Sequence, residues 1–280
     1  MGSAILAGVL DACEKSRLAG TESRFSKFIA CVNSQGSVER LETRFHKYQN
    51  CLSILQKKNV EGAKDADIIM LGCKPYMAEE VLSEIGLADA LKGKLLISFV
   101  VGTPHAKILD SIYHDYNILQ SRPSSKDGVQ IVRGMMNLAA QYGESLTVIE
   151  DLPLPGDFLD ITNWIFSQLG KTALVAPNLY DVGGVIAGAS AAFMSVAVDG
   201  MLDGAVKEGI KRAEARKMFA QTLRSFAALL ENGETPDTLR EKFSSPKGTT
   251  IAGTMSLEED RVRSAYTKAI VKATQRSQGM

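Results

Sequence analysis

Cysteine is scarce in this 280-residue chain. The four present, Cys13, Cys31, Cys51 and Cys73, form no CxxC pair and have no histidine at ligand spacing. That pattern excludes a disulfide framework and a zinc site, and points to a reducing compartment, read as the cytoplasm. An excess of one charge is lacking too. The 32 Lys and Arg balance 32 Asp and Glu, so no electrostatic argument favours nucleic acid or an anionic membrane as partner. The longest uncharged run, residues 182–198, is rich in Gly, Ala and Ser and falls short of the roughly 20 apolar residues a membrane span requires. It reads as a buried helix at a subunit contact, because small residues let another helix approach closely. Met1 leads directly into Gly-Ser-Ala without a basic segment, so no signal peptide is expected. The three histidines, His46, His105 and His114, show no partner in the sequence and read as surface residues.

What is present is a large apolar fraction, 45% of the chain, and two textures. In the first part, helical and strand patterns alternate. A helix over 4–13 is followed by a strand at 28–32, a charged helix over 38–49, and apolar strands at 67–73 and 94–101. Strands apolar on both faces and separated by helices imply an α/β fold, a doubly wound parallel sheet of the dinucleotide-binding type. The polar stretch 120–130 reads as a solvated insertion. From about Pro177 the pattern is helical throughout, with Ala215, Met218, Phe219, Phe226 and Leu230 marking a core face on a helix over 213–232. The expected division is a dinucleotide-binding domain at 1–176 and a helical domain at 177–280.

The most informative motif is Ser244-Ser245-Pro246-Lys247-Gly248-Thr249-Thr250-Ile251-Ala252-Gly253. A proline turn followed by Gly and two hydroxyl residues leaves backbone N–H groups free at a helix N-terminus, where a small carboxylate is held by hydrogen bonds and helix dipole together. Taken alone, the same run is also an ordinary turn with Thr249 or Thr250 as helix cap. Together with residues 199–210, 220–222 and 269–277, the motif resembles the C-terminal half of the pyrroline-5-carboxylate reductase family, and the likeness extends through most of the chain.

The resemblance implies reduction of a cyclic imino acid by a nicotinamide cofactor, in first place 1-pyrroline-5-carboxylate to L-proline. A six-membered piperideine carboxylate leading to pipecolate and a catalytically impaired oligomer-forming paralogue are the alternatives. It also implies a helical dimerisation domain and a homodimer or a ring of dimers. The backbone around Ser245, Gly248, Thr249 and Thr250 would bind the substrate carboxylate, with the Thr250 hydroxyl bonding the ring nitrogen and relaying a proton. On the cofactor side the family pattern maps onto Gly2, Asn59, Lys74, Pro75 and Asn137. The strand and first glycines that precede Gly2 in the family are absent here, which reads either as a late start or as lost cofactor binding. After the strand at 28–32 stands Asn33-Ser34-Gln35-Gly36 instead of a carboxylate, which favours NADPH over NADH without excluding NADH. Ser34, with Arg40 or Arg44, is the expected 2′-phosphate contact. Two departures border the expected substrate pocket: residues 187–193 read Ala-Gly-Ala-Ser-Ala-Ala-Phe, and Lys247 stands at the family's second loop glycine.

Overall fold

The computed structural model describes residues 1–114 and 127–279. Within the polar stretch 120–130, residues 120–126 lie outside the described residues, and Gln130 opens a strand. The chain forms two compact units, Met1–Gly188 together with Thr274–Met280, and Ala189–Ala273.

The first unit runs α1 (Gly2–Leu18), β1 (Phe28–Val32), α2 (Gln35–Arg44), β2 (Leu52–Gln56), α3 (Asn59–Asp65), β3 (Ile68–Leu71), α4 (Ala78–Leu82), α5 (Leu87–Ala90), β4 (Leu95–Ser98), α6 (His105–Ile112), β5 (Gln130–Met135), β6 (Ser145–Glu150), α7 (Phe158–Ser167), β7 (Gly170–Val175) and α8 (Tyr180–Gly184). β4 shows why the sheet is covered on both faces. Its side chains alternate: Leu95 and Ile97 enter one core with Ile5, Val9 and Phe166, while Leu96 enters the other with Leu82, Leu91 and Ile108.

The strands form two sheets, β1-β2 and β3-β4-β5-β6-β7. All pairings are parallel except β5 with β6. The purely parallel sheet expected from the sequence is therefore mixed. The connection over residues 136–144 is shorter than the dozen or so residues a parallel crossover needs, so β6 returns antiparallel. Among the described residues no strand precedes α1, and β1 and β3 each have one neighbour. Phe28 of β1 nevertheless shares a core with Ile68 and Met70 of β3.

The second unit is built from α9 (Ser190–Lys207), α10 (Arg212–Glu231), α11 (Pro236–Phe243), α12 (Thr249–Glu259) and most of α13 (Val262–Gln278). Thr235 opens α11 with a capping box, and Pro236 follows at the first helical position. Little apolar surface is buried here. On α10 only Ala215 is buried, while Met218 is 58% and Phe226 41% exposed, so the face expected to be core is uncovered within this chain. The run 182–198, expected as a buried helix at a subunit contact, is helical and largely uncovered among the described residues. Helical structure covers Pro177–Lys207, long and apolar enough to cross a membrane by length and composition, and 17% of its most apolar window is buried. The uncharged sequence stops at Asp199, but nothing there breaks a helix, so the helix continues for two further turns.

Candidate active site

In a doubly wound sheet, ligands lie beyond the carboxyl ends of the parallel strands. Gly2, Ser34, Asn59, Lys74, Pro75 and Asn137 all fall at the N-termini of helices or in the turns that follow these strands. Gly2 opens α1, whose N-cap Met1 makes no side-chain cap bond, and a Cβ at Gly2 would meet nothing within 4 Å. Asn59 opens α3 after β2, and its amide donates to the Glu84 carboxylate. Lys74 and Pro75 begin a short 3₁₀ turn, Pro75–Met77, after β3. Just before them, Gly72 lets the Phe99 ring lie against the strand end; its Cβ would collide with Phe99 Cζ and lie 2.8 Å from Cε2.

Ser34 caps α2 at the exit of β1. Its Oγ accepts from the Ser37 N–H at 3.3 Å and donates to Ser37 Oγ at 3.0 Å. Arg40 Nη2 donates to the same Ser37 oxygen at 3.0 Å. Two hydroxyls, a helix N-terminus and a guanidinium thus converge at the exit of β1, a donor set suited to an anion. Sequence reasoning missed Ser37; its signal was the three-residue spacing from Ser34, one helical turn inside the cap. Arg44, the other candidate, is placed elsewhere, its guanidinium stacked 5.3 Å over Phe45. With the uncapped N-terminus of α1, this cluster offers donors and positive charge that suit the phosphates of a dinucleotide; the glycines that precede Gly2 in the family are not in this sequence.

Asn137 follows β5. Its Nδ2 donates to the Ala187 carbonyl at 2.9 Å, and its Oδ1 accepts from the Ala139 N–H at 2.9 Å. Ala187 lies in a π-helical turn, Val185–Ala189, whose wider winding leaves a carbonyl to be satisfied from outside the helix. Gly184 faces Met135 across the same contact.

Next to Asn137 lies a buried ion cluster that the sequence did not reveal. Arg133 donates through Nε and Nη2 to Glu150, at 2.9 and 2.6 Å, and its guanidinium lies 4.2 Å over the Tyr180 ring. His105 Nε2 is 2.6 Å from the same carboxylate. His105 is therefore not the partnerless surface residue expected. Burial pushes the Glu150 carboxyl up, but hydrogen bonds and charge from Arg133 and His105 outweigh it and hold the group down at about 2.

The motif over residues 244–253 lies in the second unit. Ser245 and Gly248 close a turn in which the Gly248 N–H donates to the Ser245 carbonyl at 2.9 Å. Pro246 occupies its second position and Lys247 its third, at φ 57°, the left-handed conformation that a type II turn requires there. Gly248, not either threonine, is the N-cap of α12, and no side chain caps the helix. Among the described residues, the hydroxyls of Thr249 and Thr250 and the N–H groups of the first turn have no hydrogen-bond partner. Ser244 Oγ is buried without a partner. Ser245, Gly248, Thr249 and Thr250 are brought together as one uncapped helix entrance. Among the described residues, no three His, Cys, Asp or Glu side chains are grouped to hold a metal ion.

The family model described as pyrroline-5-carboxylate reductase dimerisation matches residues 177–280, and that described as NADP oxidoreductase, coenzyme F420-dependent, matches residues 1–102. A pyrroline-5-carboxylate reductase of Lophium arboricola is 37% identical over 98% of this chain and 88% of its own length. Among solved structures, 1-pyrroline-5-carboxylate reductase from Streptococcus pyogenes superposes with a TM-score of 0.78 at 21% identity, covering 100% of this chain and 95% of that one. Pyrroline carboxylate reductase of Plasmodium falciparum, solved with NADP bound, gives a TM-score of 0.73 at 22% identity over 90% and 97%. The fold is thus a Rossmann-like NADP-binding domain followed by a helical dimerisation domain, and the chain belongs to the pyrroline-5-carboxylate reductase family of NADP-dependent oxidoreductases acting on C=N bonds.

Proposed function

We propose that this protein reduces 1-pyrroline-5-carboxylate to L-proline with NADPH, as a cytoplasmic homodimer or ring of dimers. The observation that carries the reading is the uncapped entrance of α12, where free N–H groups and the Thr249 and Thr250 hydroxyls adjoin a turn closed by Gly248. The first-turn amides hold the substrate carboxylate, helped by the helix dipole. The Thr250 hydroxyl donates to or accepts from the ring nitrogen, which suits an atom that passes from imine to amine. When bound, the reduced nicotinamide supplies the hydride that adds to the C=N carbon, while the nitrogen keeps its proton and the C–N bond becomes single.

NADPH is preferred over NADH because Ser34, Ser37 and Arg40 offer donors and positive charge for a 2′-phosphate. We divide the chain into a cofactor domain at 1–176 and a substrate and dimerisation domain at 177–280, a reading supported by the dimerisation match that begins at residue 177. Dimerisation supplies the cover that α9 and α10 lack, since Val196, Met201, Met218 and Phe226 are exposed in the single chain. The test is NADPH oxidation by the purified protein with 1-pyrroline-5-carboxylate or piperideine carboxylate. Turnover of the five-membered ring, lost by about two orders of magnitude in Thr250→Ala and kept in Thr250→Ser, supports the proposal. Turnover of the six-membered ring alone reassigns the substrate, and turnover of neither refutes reduction of a cyclic imino acid.

A further inference from the structure

The loop over residues 244–253 carries one ionisable side chain, Lys247. It stands in a conformation that strains any residue with a Cβ, at φ 57°, where glycine would sit freely. Three cations of the same unit are engaged: Arg240 and Arg263 bond Glu258, and Lys242 bonds Glu234. Lys247 makes no hydrogen bond or ion pair to the described residues. A strained, unpaired ammonium therefore adjoins Gly248, the cap of an anion-binding helix entrance, and next to it the Ser244 hydroxyl is buried with no partner.

A helix N-terminus presents only about half a positive charge, and it falls off within the first turn. We propose that Lys247 completes the carboxylate clamp, adding a full mobile charge that attracts and retains the substrate carboxylate and sets the preference for acidic over neutral cyclic imines. This role rests on the reading of the α12 entrance as the carboxylate site. The long, rotatable side chain is suited to it, since it follows the anion in and out while the turn holds its backbone fixed. Lys247 is here a specificity-determining residue; it takes no part in hydride or proton transfer.

The experiment compares wild type, Lys247→Gln and Lys247→Arg on 1-pyrroline-5-carboxylate and on 1-pyrroline, the same ring without the carboxylate. For an exposed pair, loss of the charge raises KM for the carboxylate substrate by about threefold to fivefold. The kcat and the rate on 1-pyrroline stay unchanged, and Lys247→Arg restores KM. Raising ionic strength increases KM of the wild type more than that of Lys247→Gln. A merely structural loop residue would move both substrates alike. Equal effects on both imines, or no change of KM in Lys247→Gln, overturn the proposal. A wild type that reduces no cyclic imine refutes the reductase reading instead, and the role of Lys247 falls with it.

Discussion

Replacing Glu150 by Gln removes the anion at the centre of the ion cluster while keeping the side chain's size. Glu150 is 2% and the Arg133 side chain 13% exposed, so the substitution strands a mostly buried guanidinium. Burial raises the carboxyl pKa, and the hydrogen bonds and charge of Arg133 and His105 more than reverse this, bringing it from 4.5 to about 2. At 1.36 kcal/mol per pH unit, the stabilisation is about 3 kcal/mol. This agrees with the ~3–5 kcal/mol typical of breaking a buried pair from one side. A carboxyl whose folded pKa is depressed contributes fully above its unfolded pKa of about 4.5, and the contribution is lost as pH falls towards 2. By pH 3.5, about 1.4 kcal/mol of it has gone. Trp164 is the one tryptophan of the chain and lies in α7, 5.5 Å from the Phe25 ring, so its fluorescence reports unfolding of the same unit. In urea titrations, Glu150→Gln should lose about 3 kcal/mol at pH 7 and about 2 kcal/mol at pH 3.5. A loss below about 1 kcal/mol at pH 7, or a gap that does not narrow in acid, refutes the assignment of Glu150 as a stabilising anion.

Gly72→Ala should cost about 1–3 kcal/mol in the same titration, because its Cβ would collide with the Phe99 ring; a change within about 0.5 kcal/mol would show that the ring moves freely. Arg40→Ala should raise the Kd for NADPH about tenfold, as loss of a charge-assisted hydrogen bond does, and leave NADH binding unchanged. Equal weakening of both cofactors, read by nicotinamide fluorescence, would remove Arg40 from the 2′-phosphate site. Gly248→Ala puts a Cβ against Ser245 Oγ and 2.9 Å from the Ser245 carbonyl oxygen, so the turn must open. KM for the imino acid should then rise at least about tenfold while the unfolding transition reported by Trp164 stays in place; an unchanged KM would separate this turn from substrate binding.

Where a segment is apolar on both faces, its fate is legible from the sequence. The strand at Phe28–Val32 was expected at its observed bounds, and β4 lies inside the expected 94–101. β2, β5, β6 and β7 escaped because Leu52–Gln56, Gln130–Met135, Ser145–Glu150 and Gly170–Val175 mix polar residues or glycine into the strand, which weakens the periodic signal. The face of α10 shows a different limit. Its apolar spacing was read correctly, but spacing tells only that a face wants cover, and this chain does not provide it.

The same distinction separates the loop motif of the second unit from the ion cluster of the first. The 244–253 motif is written in ten consecutive residues, so its Pro, Gly and Thr positions announce a turn and a helix entrance before any tertiary contact is known. The Arg133–Glu150–His105 cluster is the opposite case. Gly134 pairs with Ile149 and Met135 with Val148, and one step further along this antiparallel register Arg133 stands opposite Glu150. In the purely parallel sheet expected from the alternation of strands and helices, that pairing does not arise, and His105 has no carboxylate to meet. Neither β5 nor β6 was legible as a strand, so nothing in the sequence set Arg133 opposite Glu150 or placed a carboxylate beside His105.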